Sequence, residues 1–230
     1  MIDNLPLYIG VIFGLTTICA VLLFWKAAHT SRIVILSLVI WLIIQSKISL
    51  SLFYTKTNGG PPRFILALGP PLLVIIYLFL TKSGRRFIDS LDLKWLTLLH
   101  TIRIPVELVL YWLFVYKAVP QLMTFEGRNF DVISGITALI AYYLVFVKKT
   151  FGKRFLLLWN LVCLALLINI VVNAILSFPF PFQQFAFDQP NVGLLYFPFI
   201  WLPSCIVPIV LFSHLAAIRR LLRSVALDKL

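Results

Sequence analysis

Residues 7–32 read LYIGVIFGLTTICAVLLFWKAAHTSR: from Leu7 to Trp25 no side chain is charged, and Lys26 and Arg32 then follow. A run of this length matches the roughly 20 apolar residues that cross the hydrocarbon core of a bilayer. Met1–Pro6 carries Asp3 and no Lys or Arg. The run therefore lacks the basic leader of a cleavable signal peptide and reads as a first spanning helix with its basic flank in the cytoplasm.

Comparable apolar runs cover 33–53, 64–81, 93–116, 131–147, 155–176 and 196–217. Together they predict an all-α, polytopic membrane protein, a bundle of about seven transmembrane helices forming a single domain over 1–230. Composition agrees. Of the 230 residues, 61% are hydrophobic and 12% charged, and the mean hydropathy is +1.01, values foreign to a soluble globular domain. The formal charge of +12 would suggest nucleic acid in a soluble protein, but here it is explained by topology, and no nucleic-acid partner is expected. The partners to look for are the lipid bilayer itself and a small-molecule or lipid substrate.

Basic residues alternate between the connections. Lys26 and Arg32, then Lys82, Arg85, Arg86 and Lys94, then Lys148, Lys149, Lys153 and Arg154, then Arg219, Arg220, Arg223 and Lys229 make fourteen on one side. Lys56, Arg63, Lys117 and Arg128 make four on the other. The bias places the N-terminus outside and the C-terminus in the cytoplasm, in a multi-pass protein of the cell membrane.

The fourth run is the informative one: Leu99-His100-Thr101-Ile102-Arg103-Ile104-Pro105-Val106-Glu107-Leu108-Val109-Leu110-Tyr111. At about 100° per residue, His100, Arg103, Glu107 and Tyr111 share one helix face. A charge at mid-membrane costs about 2.5–3.5 kcal/mol on insertion scales, so such residues face a bundle interior or a wet cavity. The spacing allows Arg103 and Glu107 to neutralise each other as an i, i+4 pair. It equally suits a substrate site or proton relay beside the backbone that Pro105 disrupts. Lys47 in the second run, and Asn169 with Asn173 in the sixth, are candidate partners, Lys47 as the third member of a buried triad with Glu107; the alternatives are a snorkelling lysine and interhelical glue.

The segment Met123–Asp131 opens the fifth run. Asn129 suits an N-cap and Asp131 a first-turn acid, while Glu126 and Arg128, with Asp131, are candidates for the mouth of a cavity whose floor is Glu107. The connection from Ser177 to Asn191 interleaves Phe178, Phe180, Phe182, Phe185 and Phe187 with prolines, as an interfacial anchor or a lid would. Proline recurs in the third run (Pro70, Pro71) and the seventh (Pro198, Pro203, Pro208), hinting at a three-plus-one-plus-three layout.

His29, His100 and His214 share a predicted depth, but no two lie at ligand spacing on one helix, so neither metal nor cofactor is called for. Cys19, Cys163 and Cys205 read as packing residues, and Gly10 with Gly14 as a close-packing face. Nucleotide, zinc-protease, serine-hydrolase and dithiol signatures are absent from the sequence. Three readings follow. The first is a small-solute or ion transporter, proton-coupled, in which Arg103 steers an anionic group and Glu107 exchanges a proton. The second is a membrane-embedded enzyme acting on a lipid or isoprenoid, with His100, Glu107 or Asp131 as acid–base groups, and the third a sensor or assembly protein.

Overall fold

The computed structural model describes residues 5–56 and 62–227. The chain is all-α, 74% helical, with no strand among the described residues. The helices are α1 (Leu7–Ala27), α2 (Arg32–Leu50), α3 (Ile65–Leu80), α4 (Lys82–Ser90), α5 (Leu93–Leu99), α6 (Arg103–Val115), α7 (Asp131–Tyr142), α8 (Lys153–Leu176) and α9 (Val207–Leu227). A 3₁₀ turn at His100–Ile102 joins α5 to α6, and single π turns extend α7 through Tyr143–Val147 and precede α9 at Leu202–Ile206.

Five of these units are long and apolar enough to cross a membrane: α1, α2, Leu93–Val115, α8 and Leu202–Arg223. The bent pair α3–α4 adds a sixth if counted as one span, and Asp131–Val147 is a shorter apolar helix. The expected third stretch differs from expectation after residue 80: the basic segment read as a loop is a helix, turned by 95° from α3. Thr81 caps α4 by accepting a hydrogen bond from the Gly84 amide at 3.1 Å. Gly84 is required at this corner, because a β-carbon there would run into the backbone of Leu78. In α4, Gly84 and Ile88 face inward and Lys82 and Arg86 outward, the pattern of a helix lying along an interface.

The expected seventh stretch also shifts. Pro198 follows a cis peptide bond, and the continuous span starts only at about Leu202. Of the turn-rich approach to α3, residues 57–61 lie outside the described residues, as does Lys229 of the basic tail.

The interior is built by α1, α5, α6, α7, α8 and α9, which pack on one another. In the best 18-residue window of the last span 61% of residues are buried, against 11% for α2, so α9 is the centre of the bundle and α2 a peripheral strut. On α2 the side chains of Leu36, Val39, Ile40 and Ile43 are exposed, and so are Leu158, Leu161 and Val162 on α8. A continuous apolar surface of this kind suits lipid, where it costs nothing to leave uncovered. Cys163 and Cys205 are buried, whereas Cys19, expected to pack, is exposed, and all three are free thiols.

The prolines determine how α2 attaches. A proline withdraws the N–H that would bond the carbonyl four residues earlier. Pro208 thereby releases the Ser204 carbonyl, which accepts from Trp41 Nε1 at 2.8 Å. Pro70 likewise releases the Leu66 carbonyl, which accepts from Gln45 Nε2 at 3.4 Å. Gln45 Oε1 in turn accepts from the Tyr54 hydroxyl at 2.6 Å, and burial pushes the Tyr54 phenol up to about 12, so it remains a donor. Nearby, Ser49 donates to the Leu195 carbonyl at 3.1 Å and Trp201 Nε1 to Ser46 Oγ at 3.1 Å.

At the basic end, His29 Nε2 donates to the Ser90 carbonyl at 2.7 Å and Lys26 lies over the Trp95 ring at 4.5 Å. Asp89 of α4 accepts from Arg219 at 3.1 Å and also pairs with Arg223. At the opposite end, Phe178 and Phe180 are buried and stack on Phe64 with centroids 4.9 and 5.3 Å apart.

Candidate functional site

Pro105 has no N–H to give to the Thr101 carbonyl, and the chain tightens into the 3₁₀ turn immediately before α6. His100, Arg103 and Glu107 nevertheless hold one face and are buried, with 1%, 3% and 3% of their surface exposed. Tyr111 continues the stripe but leaves the charged group: it is half-buried and stacks on Phe125 at 5.0 Å.

Arg103 does not take Glu107 as its ion-pair partner. Its Nη1 donates to Asp131 Oδ1 at 2.9 Å and to the Cys163 carbonyl at 3.4 Å, and its Nη2 meets His214 Nε2 at 3.0 Å. Asp131 is therefore a buried residue, 5% exposed, set apart from the exposed Glu126 and Arg128, its expected companions at the mouth of the cavity. The reason is a helix crossing. Gly135 brings α7 so close to the α6 junction that a β-carbon there would lie 2.8 Å from Ile104 Cγ1 and 3.3 Å from Arg103 Cβ. Asp131, one turn earlier, is thereby set against the guanidinium.

Glu107 is held by Asn129, whose Nδ2 donates to both carboxylate oxygens at 2.6 and 2.7 Å and to the Met123 carbonyl at 2.9 Å. Asn129 Oδ1 accepts from the Asp131 amide at 3.0 Å. The N-cap position of α7 is Phe130, without a side-chain cap, so Asn129 stands one residue earlier than expected and ties α6 to the start of α7.

On the other side of Arg103, His214 Nδ1 meets Asn160 Oδ1 at 2.9 Å, while Asn160 Nδ2 donates to the Leu156 carbonyl at 2.8 Å. The donor inventory then sets the tautomer. Asn160 Oδ1 only accepts, so His214 Nδ1 carries the proton; Arg103 only donates, so Nε2 must accept and His214 is neutral. His100 lies flat against His214 with ring centroids 3.9 Å apart, and Trp159, which donates to Thr137 at 3.0 Å, abuts His100 edge-on at 5.5 Å. The His100 Nδ1 atom is buried without a hydrogen-bond partner.

The result is a string of polar side chains through the bundle: Glu107, Asn129, Asp131, Arg103, His214 and Asn160. Beside its acidic end is a cavity of about 70 Å³, lined by Glu107, Asn129 and Asp131 and otherwise by apolar groups that include Phe64, Phe178 and Pro203. A water needs about 10–15 Å³ of such space, so the cavity has room for a few waters, although its surface is almost wholly apolar. Of the Phe-rich connection, Phe178 lines it, beside Phe64.

Other expected members stand apart. Lys47 is exposed on the peripheral α2, so the triad with Glu107 does not form. Asn169 is exposed and donates to the Arg128 carbonyl at 2.9 Å, and Asn173 Nδ2 bonds back to the Asn169 carbonyl at 2.9 Å; both brace the connection leading to α7. Glu126 and Arg128 are exposed, and the Arg128 guanidinium sits over Phe185 at 5.2 Å. Among the described residues no group of three His, Cys, Asp or Glu side chains is placed to hold a metal ion.

Asn160 and Trp159 were not singled out in the sequence. Asn160 carried the same signal as Asn169 and Asn173, an amide within an apolar run, and its position one turn from Cys163 on the face turned to Arg103 is visible only in the packed bundle.

The fold is all-α, with helices apolar enough for membrane insertion, as an integral membrane protein requires, and a buried charged core. Residues 61–222 match the family model of a domain of unknown function, DUF8737, and the chain belongs to that family. The match takes in every residue of the charged string. Comparison with the curated proteins and with the solved structures gave no match.

Proposed function

We propose that the protein is a multi-pass protein of the cell membrane, one domain over 1–230, that moves a small ion or solute coupled to protons through the Glu107–Arg103 region. The observation that carries this reading is a count of charge. The string holds two carboxylates, Glu107 and Asp131, and one permanent cation, Arg103, which is bound to Asp131. The neutral His214 supplies no second cation. Glu107, whose two oxygens accept from Asn129 while Arg103 is bound to Asp131, is therefore the group suited to take up a proton, since a charge at this depth is costly. A bulky lipid does not fit a cavity of about 70 Å³, which favours transport over lipid chemistry at this site.

Glu107→Gln tests it. The amide keeps an oxygen for Asn129 to donate to, so the detergent-solubilised variant should melt within about 1 kcal/mol of the native protein. In liposomes loaded with a pH-sensitive dye, the native protein should carry protons down an imposed gradient and the variant should fall to the protein-free background. A folded variant with native flux would end this reading.

The same proposal places the N-terminus outside and the C-terminus in the cytoplasm, with seven crossings that include α3 and Asp131–Val147. The latter is about 26 Å long at about 1.5 Å per residue, short of the roughly 30 Å core by an amount that local thinning accommodates. Support comes from the fourteen-to-four distribution of basic residues. With the native cysteines replaced, a cysteine at Gln184 should react with an impermeant thiol reagent added outside intact cells. One at Ser83 should be protected until the membrane is opened. Both positions are exposed on the protein, and the opposite labelling pattern would reverse the orientation.

A further inference from the structure

A second and larger hollow lies outside the charged string. It measures about 530 Å³ and runs between the first half of α2 and the flanks of α3 and α9, with Ile33, Ser37, Trp41, Pro70, Phe87 and Pro208 in its wall. It shares no lining residue with the cavity beside Glu107. The hydrogen bonds of α2 to the proline-released carbonyls of α3 and α9 begin at Trp41, and before it α2 meets the core through apolar side chains such as Val34 and Leu38. Of the residues in its wall, Ile33 in the first turn of α2 and Phe87 on α4 adjoin the basic segments.

The walls are almost wholly hydrocarbon, and an apolar hollow does not hold water. Left empty, its lining forfeits van der Waals partners on one side. In a bilayer the filling at hand is an acyl chain. Ile33 and Phe87 are followed outward by charge, for Arg32 and Arg86 are their neighbours in the chain and both are exposed. The helix α4, which carries Lys82, Arg85 and Arg86, leaves α3 at 95° and contributes Phe87 to the wall of the groove. Its acid, Asp89, is already taken by Arg219 and Arg223, which leaves the mouth strongly positive. We infer that the groove between α2, α3 and α9 is a binding site for an anionic phospholipid, one acyl chain filling the groove and the phosphate held by Arg32 and Arg86. Guanidinium groups match phosphate geometry, and basic clusters at a membrane surface select anionic headgroups.

The test uses the full chain in detergent, titrated with dioleoyl phosphatidylglycerol or dioleoyl phosphatidylcholine and followed by thermal melting and native mass spectrometry. Phosphatidylglycerol should raise the melting temperature more, remain as a one-to-one adduct, and bind roughly tenfold more tightly or better, as two basic groups near the surface imply. The double variant Arg32→Gln with Arg86→Gln changes only exposed side chains. It should melt like the native protein without lipid and lose the preference. Filling the groove with Ser37→Phe should remove the adduct for both lipids. Equal affinity of the native protein for the two lipids would overturn the site, as would a phosphatidylglycerol preference that survives the double variant. If Ser37→Phe does not fold, those two measurements still decide.

Discussion

Replacing Arg103 by Met should destabilise the protein by about 3–5 kcal/mol, the usual cost of removing one partner of a buried ion pair. Asp131 would be left as an anion with 5% of its surface exposed, and His214 Nε2 would lose the donor that now lies 3.0 Å away. Asp131→Asn alone should cost a comparable amount, because it strands the guanidinium. The double variant, Arg103→Met with Asp131→Asn, should recover most of the loss, since it removes both charges, and buried pairs replaced together are often neutral or better. Equilibrium unfolding of the four proteins in detergent gives the coupling energy directly. Single variants within about 1 kcal/mol of the native protein would mean that the pair carries no structural weight. The cycle also separates stability from activity: a double variant that folds yet carries no protons assigns the pair to function. A double variant with full activity leaves Glu107 as the group to pursue.

Gly135→Val should also destabilise the protein. Its β-carbon would lie 2.8 Å from Ile104 Cγ1 and 3.0 Å from the Ile104 backbone nitrogen, and backbone cannot give way as a flexible side chain can. Overpacking of this kind costs about 1–3 kcal/mol, occasionally more, and here α7 must retreat from α6 to relieve it. Asp131, four residues earlier on the same helix, would retreat with it, so both folding and proton flux should suffer. Gly14→Ala is the matched control, because nothing lies within 4 Å of a β-carbon at that position; it should be neutral or stabilise by up to about 1 kcal/mol through helix propensity. Equal melting temperatures for Gly135→Val and the native protein would show that the crossing is looser than the described packing.

The stripe on α6 was legible because it is local. His100, Arg103 and Glu107 share a face by helical periodicity alone, and a charge within an apolar run declares itself from hydropathy. The partners were not legible. Sequence spacing favoured Glu107 for Arg103 and admitted Lys47 for Glu107, whereas the structure joins Arg103 to Asp131, 28 residues away, and Glu107 to Asn129. Asn129 and Asp131 looked like capping residues because capping uses the same side chains; the N-cap of α7 is Phe130, and Asn129, one residue earlier, accepts from the Asp131 amide with its oxygen and donates to Glu107 with its nitrogen. His214 was visible only as a histidine of similar depth to His100, and nothing in the spacing announced a 3.9 Å stack.

What the sequence by itself determined is the presence of helices apolar enough to cross a membrane and the places where they form, since hydropathy and periodicity are properties of contiguous residues. It also determined that α6 carries the charged face. The tertiary structure alone decided the 95° turn into α4, the docking of α2 on carbonyls released by Pro70 and Pro208, and the pairing along the buried string. The physical reason is that a buried charge is satisfied by whichever complementary group the packing brings within about 3 Å, and at Arg103 that choice rests on a missing β-carbon at Gly135, on a different helix.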